Sequence, residues 1–236
     1  MRTFLVCLAA FLSCDLAVCA QKPSPSVAEV QPAAQIPKGY EIGKESVSPD
    51  GRFAILYPLR VEENWPEHYP PNLLVRLKPY AVLAKVEEDG LPQNVTMELL
   101  AEWNGNSVVA IWEFRKWGIV DLNVYEIEND KVKRVQPVWR EARKYFERDI
   151  CARLLKKYPE EQEVIIFVSG AGKPHPARDF EFKGRKLLLN LAADNKPNLA
   201  SGPHWTAEFH ATWNLDTAKF EKVDFRPGHI EIRPEP

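Results

Sequence analysis

The chain has 236 residues, of which 45% are hydrophobic and 27% charged, and its formal net charge is −2. That balance lacks the basic footprint of a nucleic-acid binder, so no nucleic acid is expected as a partner. The apolar fraction is too high for a disordered chain, and no stretch beyond the first dozen residues approaches the roughly twenty apolar residues of a spanning helix, so no transmembrane segment is expected.

The chain opens with Met1-Arg2, an apolar run from Phe4 to Leu12, and then Val18-Cys19-Ala20. A basic start, a short apolar core and small residues before a cut are the layout of a secretory signal peptide over 1–20. Leu16-Ala17-Val18-Cys19 also resembles a lipobox, with Val18 where a smaller residue is usual, so lipid attachment at Cys19 is the rival route. Either route places the protein outside the cytoplasm, secreted or periplasmic. Cleavage after Ala20 removes Cys7, Cys14 and Cys19 and leaves Cys151 alone, which excludes an intramolecular disulfide. The mature chain of about 216 residues must then be held by its core, and it is long enough for that. Cys151 falls inside a helical pattern with no local histidine, so it reads as a buried, inert thiol.

Residues 21–38 are Pro/Ala-rich and read as a flexible linker. A single β-rich globular domain is expected over 39–236, with a sub-boundary near 136. Ser48-Pro49-Asp50-Gly51-Arg52 carries turn chemistry: proline fixes one dihedral and Asp-Gly supplies a positive φ. Phe53–Tyr57 follows as a strand stopped by Pro58. Asn72–Leu77 and Ala81–Val86 read as two more strands. Trp103-Asn104-Gly105-Asn106-Ser107 is a second turn with the Asn-Gly hairpin signal. Val108–Phe114, Val120–Ile127 and Val132–Val135 are the strands after it. The unit therefore recurs, offset by about 54 residues between Gly51 and Gly105.

Ser48-Pro49-Asp50-Gly51-Arg52 before an apolar strand resembles the blade signature of TolB-like and WD-repeat β-propellers. Trp103–Ala110 is similar in a degraded form, and Trp213-Asn214-Leu215-Asp216-Thr217 resembles a later blade strand and turn. The resemblance covers about ninety residues. It implies blade-like meanders and a partner-binding role. Two units do not close a ring of four to eight blades.

A helix is predicted from Pro137 to Tyr158, with Trp139, Ala142, Phe146, Ile150, Leu154 and Tyr158 as its core stripe. Its other face carries Arg140, Arg143, Lys144, Arg148, Arg153, Lys156 and Lys157 against Glu141, Glu147 and Asp149, a basic excess read as a solvated face. Glu163–Val168 is a strand. Phe180–Phe182 and Leu187–Leu191 form a hairpin around Lys183-Gly184-Arg185-Lys186. Trp205–Trp213 alternates between a buried and a wet face. Lys219–Phe225 pairs back on it, and Ile230–Ile232 is a short edge strand. The expected class is α+β, mostly antiparallel β, with two blade-like β-meanders, one long amphipathic helix, and C-terminal β-hairpins packed with it.

Few residues invite a chemical role. Ser169-Gly170-Ala171-Gly172-Lys173 lacks the spacing and the following helix of a phosphate loop, so it reads as a plain loop. Ser169, His175 and Asp179 have no nucleophile-elbow context. Glu208 and His210 share one strand face about 7 Å apart, but His204 is too far to join them on one ion, and no metal or cofactor is expected. The acid runs Glu62-Glu63 and Glu87-Glu88-Asp89 sit beside loop signals and read as solvated. Asn94-Val95-Thr96 is a sequon read as a chance occurrence. The loop from Glu63 to Pro71 is stiffened by prolines and carries Trp65, His68 and Tyr69, which makes these three the candidate contact residues. The alternative is that the loop caps the core. Together these features point to an exported, non-catalytic binding or accessory protein of the cell envelope, with a protein or glycan as partner. The alternative is an envelope hydrolase with its site around His204, Glu208 and His210.

Overall fold

A computed structural model describes residues 36–43, 45–59, 70–86, 98–115, 118–152, 156, 167–170, 180–194 and 203–232. All belong to the unit Pro32–Pro236. Strands dominate and every pairing is antiparallel.

The first sheet is the meander β1 (Tyr40–Ile42), β2 (Phe53–Pro58), β3 (Leu73–Leu77) and β4 (Tyr80–Lys85). The second is β5 (Glu98–Asn104), β6 (Val108–Arg115), β7 (Gly118–Glu128) and β8 (Lys131–Pro137). After it come α1 (Val138–Phe146), a π-helical turn (Glu147–Cys151) and β9 (Phe167–Gly170). The third sheet runs β10 (Phe180–Lys183), β11 (Lys186–Asp194), β12 (Pro203–Asn214) and β13 (Lys219–Ile232), with β9 pairing the far end of β11.

The C-terminal hairpins are therefore a third meander built like the first two. In each, a glycine at positive φ stands in the connection between the first and second strands: Gly51 at 71°, Gly105 at 66° and Gly184 at 58°. Only glycine takes that conformation without steric cost. In the first of these turns Asp50 Oδ1 accepts the Ser48 hydroxyl at 2.7 Å and the Arg52 N–H at 3.1 Å. The Ser48 hydroxyl in turn accepts the Phe53 N–H at 2.9 Å.

Three readings of the sequence are adjusted. β1 and the body of β5 carried too little periodicity to be noticed, and Trp103-Asn104 close β5 rather than open a turn. Ser169 and Gly170 lie in β9, not in a loop. Ile230–Ile232 continues β13 instead of forming a separate strand. Pro137 ends β8 and stands just before the helix, whose described course reaches Cys151 through the π-turn.

Burial follows from which faces are covered. In the second sheet Val109, Ile111, Tyr125 and Ile127 pack with Phe53, Ile55 and Leu74 of the first. Val108, Ala110, Trp112, Leu122 and Val124 face the other way, onto α1 and the third sheet. Both faces are covered, which is why Val108–Trp112 is an unbroken apolar run. The third sheet offers one inner face, Ala207, Phe209, Ala211 and Trp213, and leaves Glu208, His210 and Thr212 outward. The helix buries Val138, Trp139, Ala142 and Phe146 between them; the last three belong to the predicted stripe, and the side chains of Ile150, Leu154 and Tyr158 lie outside the described residues.

Polar contacts join the sheets at their rims. Trp103 Nε1 donates to the Ser46 carbonyl at 3.1 Å. Arg76 Nη1 reaches Asp130 Oδ2 at 2.8 Å, and Arg52 pairs with the same carboxylate. Asp130 sits at φ 60° in the β7–β8 turn, beside Asn129 at 52°, as a two-residue hairpin turn requires. Hydrogen bonds from Arg76 and then Arg52 hold its carboxyl below the usual aspartate range. A carboxyl whose pKa is lowered on folding stabilises the fold above the unfolded value near ~4, and that contribution fades as pH falls through the folded value. Asp130→Asn keeps a residue that tolerates positive φ and removes only the charge. Its denaturation midpoint is expected to fall below that of the parent at pH 7, and the two curves to converge as pH falls below the usual aspartate range. The site is 35% exposed, so the difference should shrink in high salt. Equal midpoints at pH 7 in low salt would remove the clamp from the account.

Candidate binding site

Two openings among the described residues bring polar and aromatic side chains together. The first is a shallow groove of about 720 Å³ on the outward face of the third sheet. Strand register places Asn190, His210 and Asp224 in one row, and Ala192, Glu208 and Arg226 in the next. His210 Nε2 lies 3.4 Å from Glu208 Oε2. Arg226 pairs with Asp224 and comes within 4.0 Å of Glu208.

Two acids of this groove, Asp224 and Glu221, are held as anions. The hydrogen bond from Arg226 keeps Asp224 below the usual range. Lys186, at 2.6 Å, and Asn214 do the same for Glu221. Neither is suited to give up a proton near neutrality. The groove's hydroxyl, Thr212, is the next residue on the His210 face, and residues so spaced are about 7 Å apart. No hydrogen bond joins them among the described residues, whereas a nucleophile and its base must meet at about 3 Å.

The second opening is a cleft of about 460 Å³ between α1 and the β12–β13 hairpin. It arises from two local patterns. Glu141, Lys144, Tyr145 and Arg148 recur at three- and four-residue spacing, a stripe beside the buried one. Asn214 Oδ1 accepts the N–H of Asp216 at 2.8 Å and of Thr217 at 3.2 Å, which turns the chain back over the helix. The turn closes with Ala218 at φ 50°. An alanine there costs about 1 kcal/mol against the right-handed region. Such strain persists where surrounding structure imposes it, often beside ligand sites.

The floor of the cleft is aromatic. Tyr145 meets Phe220 edge-on at 6.0 Å, and Trp213 lies beneath Phe220 at 4.8 Å. The rim is charged. Lys144 Nζ is 2.6 Å from Glu141 Oε1. Arg148 grips Asp149, with Nε at 3.0 Å from Oδ1, and its guanidinium lies 5.2 Å over the Tyr145 ring. Asp149 raises the Arg148 pKa further, so that charge is permanent. Lys219 completes the rim and has no ion pair among the described residues.

The sequence reading found neither opening. Arg148 and Lys144 were assigned to a solvated face, and Tyr145 and Phe220 were passed over. The signal that could have found the cleft is the second helical stripe beginning at Glu141. Trp65, His68 and Tyr69, the predicted contact residues, lie outside the described residues, as do His175, Asp179, the acid runs Glu62-Glu63 and Glu87–Asp89, and the Asn94 sequon. The side chains of His204 and Cys151 lie outside them too. Among the described residues no group of three or more His, Cys, Asp and Glu is placed to hold a metal, and no helix is long and apolar enough to cross a membrane.

Compared with protein-family models, with curated proteins and with solved structures, the chain matches none of them.

Proposed function

We propose that this protein is an exported, non-catalytic binding or accessory module of the cell envelope. The leader-like first twenty residues motivate the location. The observation that carries the binding role is the α1–β13 cleft, where an aromatic floor meets the Arg148 guanidinium and the Lys219 ammonium, which has no ion pair among the described residues. Few convergent polar groups over apolar surface are what small binding sites use. The meanders, with their likeness to propeller blades, add a scaffold type that mostly binds partners.

The test is to immobilise the chain from Gln21 onward and cross-link it in envelope extract. Beside it run Trp65→Ala/Tyr69→Ala and Lys219→Glu. Saturable recovery of one protein or glycan by the parent, lost in either variant, is the expected result. Recovery equal to a blank resin would sink the binding reading.

One observation favours an envelope hydrolase instead, namely His210 held 3.4 Å from Glu208 over an open groove. That reading requires turnover of an envelope polymer abolished by His210→Ala. Asp224 and Glu221, held as anions, are not suited to serve it as general acid, which sets this reading second.

A further inference from the structure

We infer that the α1–β13 cleft takes an acidic saccharide, a hexuronate unit of a longer glycan. The inference rests on the binding-module reading and names its ligand. Phe220, partly exposed in the cleft lining, supplies apolar ring surface of the kind that covers the C–H face of a pyranose, while the Tyr145 ring carries Arg148. Arg148 pairs with Asp149 and lies over the Tyr145 ring, which places a guanidinium at the cleft rim. Lys219 brings a positive charge that no carboxylate of the described residues has taken.

The charge count selects the ligand. Lys144 is matched by Glu141 and Arg148 by Asp149, so Lys219 is the rim cation with capacity for one more anion. One ammonium suits one carboxylate. A phosphate or diphosphate carries more charge and would also face Glu141 across the cleft. The same Glu141 is well placed for a sugar, because a carboxylate accepts hydrogen bonds from hydroxyls. Ala218, at φ 50°, closes the turn that places Lys219 and Phe220 at the mouth.

The probes are hexuronate tetramers of the gluco and galacto forms, with cellotetraose as the neutral control. Binding is followed by titration calorimetry at low and at physiological salt. The parent is expected to bind at least one hexuronate tetramer, more weakly at the higher salt, and to leave cellotetraose unbound. Lys219→Glu should weaken the hexuronate at least tenfold, about 1.4 kcal/mol, because it turns an attraction into a repulsion. Lys219 lies at the surface, and far-ultraviolet circular dichroism checks that the variant keeps its fold. Lys219→Arg should restore binding. Failure of the parent to bind either tetramer, equal binding of cellotetraose, or an unaffected Lys219→Glu each overturns the inference. If a partner is still captured from envelope extract in any of those cases, the binding-module reading stands without this ligand. If capture fails as well, both fall.

Discussion

Replacing Trp112 by alanine should lower stability by about 3–5 kcal/mol, the range for emptying a large aromatic from a packed core. Trp112 is 0% exposed, at the centre of β6. Its ring lies 4.6 Å from Phe180, the first residue of β10 in the third sheet. Leu100 and Leu122 flank it across the β5 and β7 ladders. The cavity would open between two sheets whose backbones are tied by full ladders, so neither can collapse into it. Domains of this size retain about 5–15 kcal/mol in all, so much of the margin would go. Urea unfolding of the two proteins measures the difference. A cost under 1 kcal/mol would mean that the second and third sheets do not pack through Trp112. The more conservative Trp112→Phe should lose much less, since most of the contact area stays.

Gln136→Met is the second large effect, about 1–3 kcal/mol, and it isolates hydrogen bonding from volume. Gln136 is 0% exposed at the end of β8. Its side-chain carbonyl accepts the Trp213 indole N–H at 2.6 Å. Its amide donates to the Leu215 carbonyl at 2.9 Å and to Glu126. Methionine fills nearly the same space and can make none of these bonds, so the Trp213 N–H would be left buried without a partner. The Leu215 carbonyl would suffer less, because Arg134 Nη1 also reaches it at 3.1 Å. Arg185 binds Glu126 and Asp216, both at 2.9 Å, and keeps the rim of the same junction closed. Unfolding should therefore remain cooperative, at a lower midpoint. A midpoint within error of the parent would show that water or a shifted indole satisfies the group. Gln136→Ala should cost more than Gln136→Met, because it adds a cavity to the same broken bonds.

Much of the architecture was legible because it is written in local chemistry. Asp50-Gly51 and Asn104-Gly105 announce hairpin connections by their need for positive φ. Ala207, Phe209, Ala211 and Trp213 alternate with polar neighbours, so their sheet has one covered face. Trp139, Ala142 and Phe146 fall on one side of a helix. The third meander was half legible. Lys183-Gly184-Arg185-Lys186 was recognised as a turn, but without the Ser-Pro-Asp frame it did not look like Gly51 or Gly105. β1 was missed because three half-buried residues have no periodicity to show.

The sequence by itself determined most of the strands, the hairpin turns and the first part of the helix's buried stripe, because each depends on neighbours within a few residues along the chain. Only the tertiary structure decided what those elements meet. Trp112 against Phe180, Gln136 against Trp213 and Asp130 between Arg52 and Arg76 join residues 54 to 78 positions apart, across different sheets. The cleft belongs to the same class. Tyr145 and Phe220 are ordinary on their own elements, and they become a site because the β12–β13 hairpin folds back onto the helix. Periodicity records that a side chain must be buried or paired, but the partner is chosen by packing between elements, which no local pattern encodes.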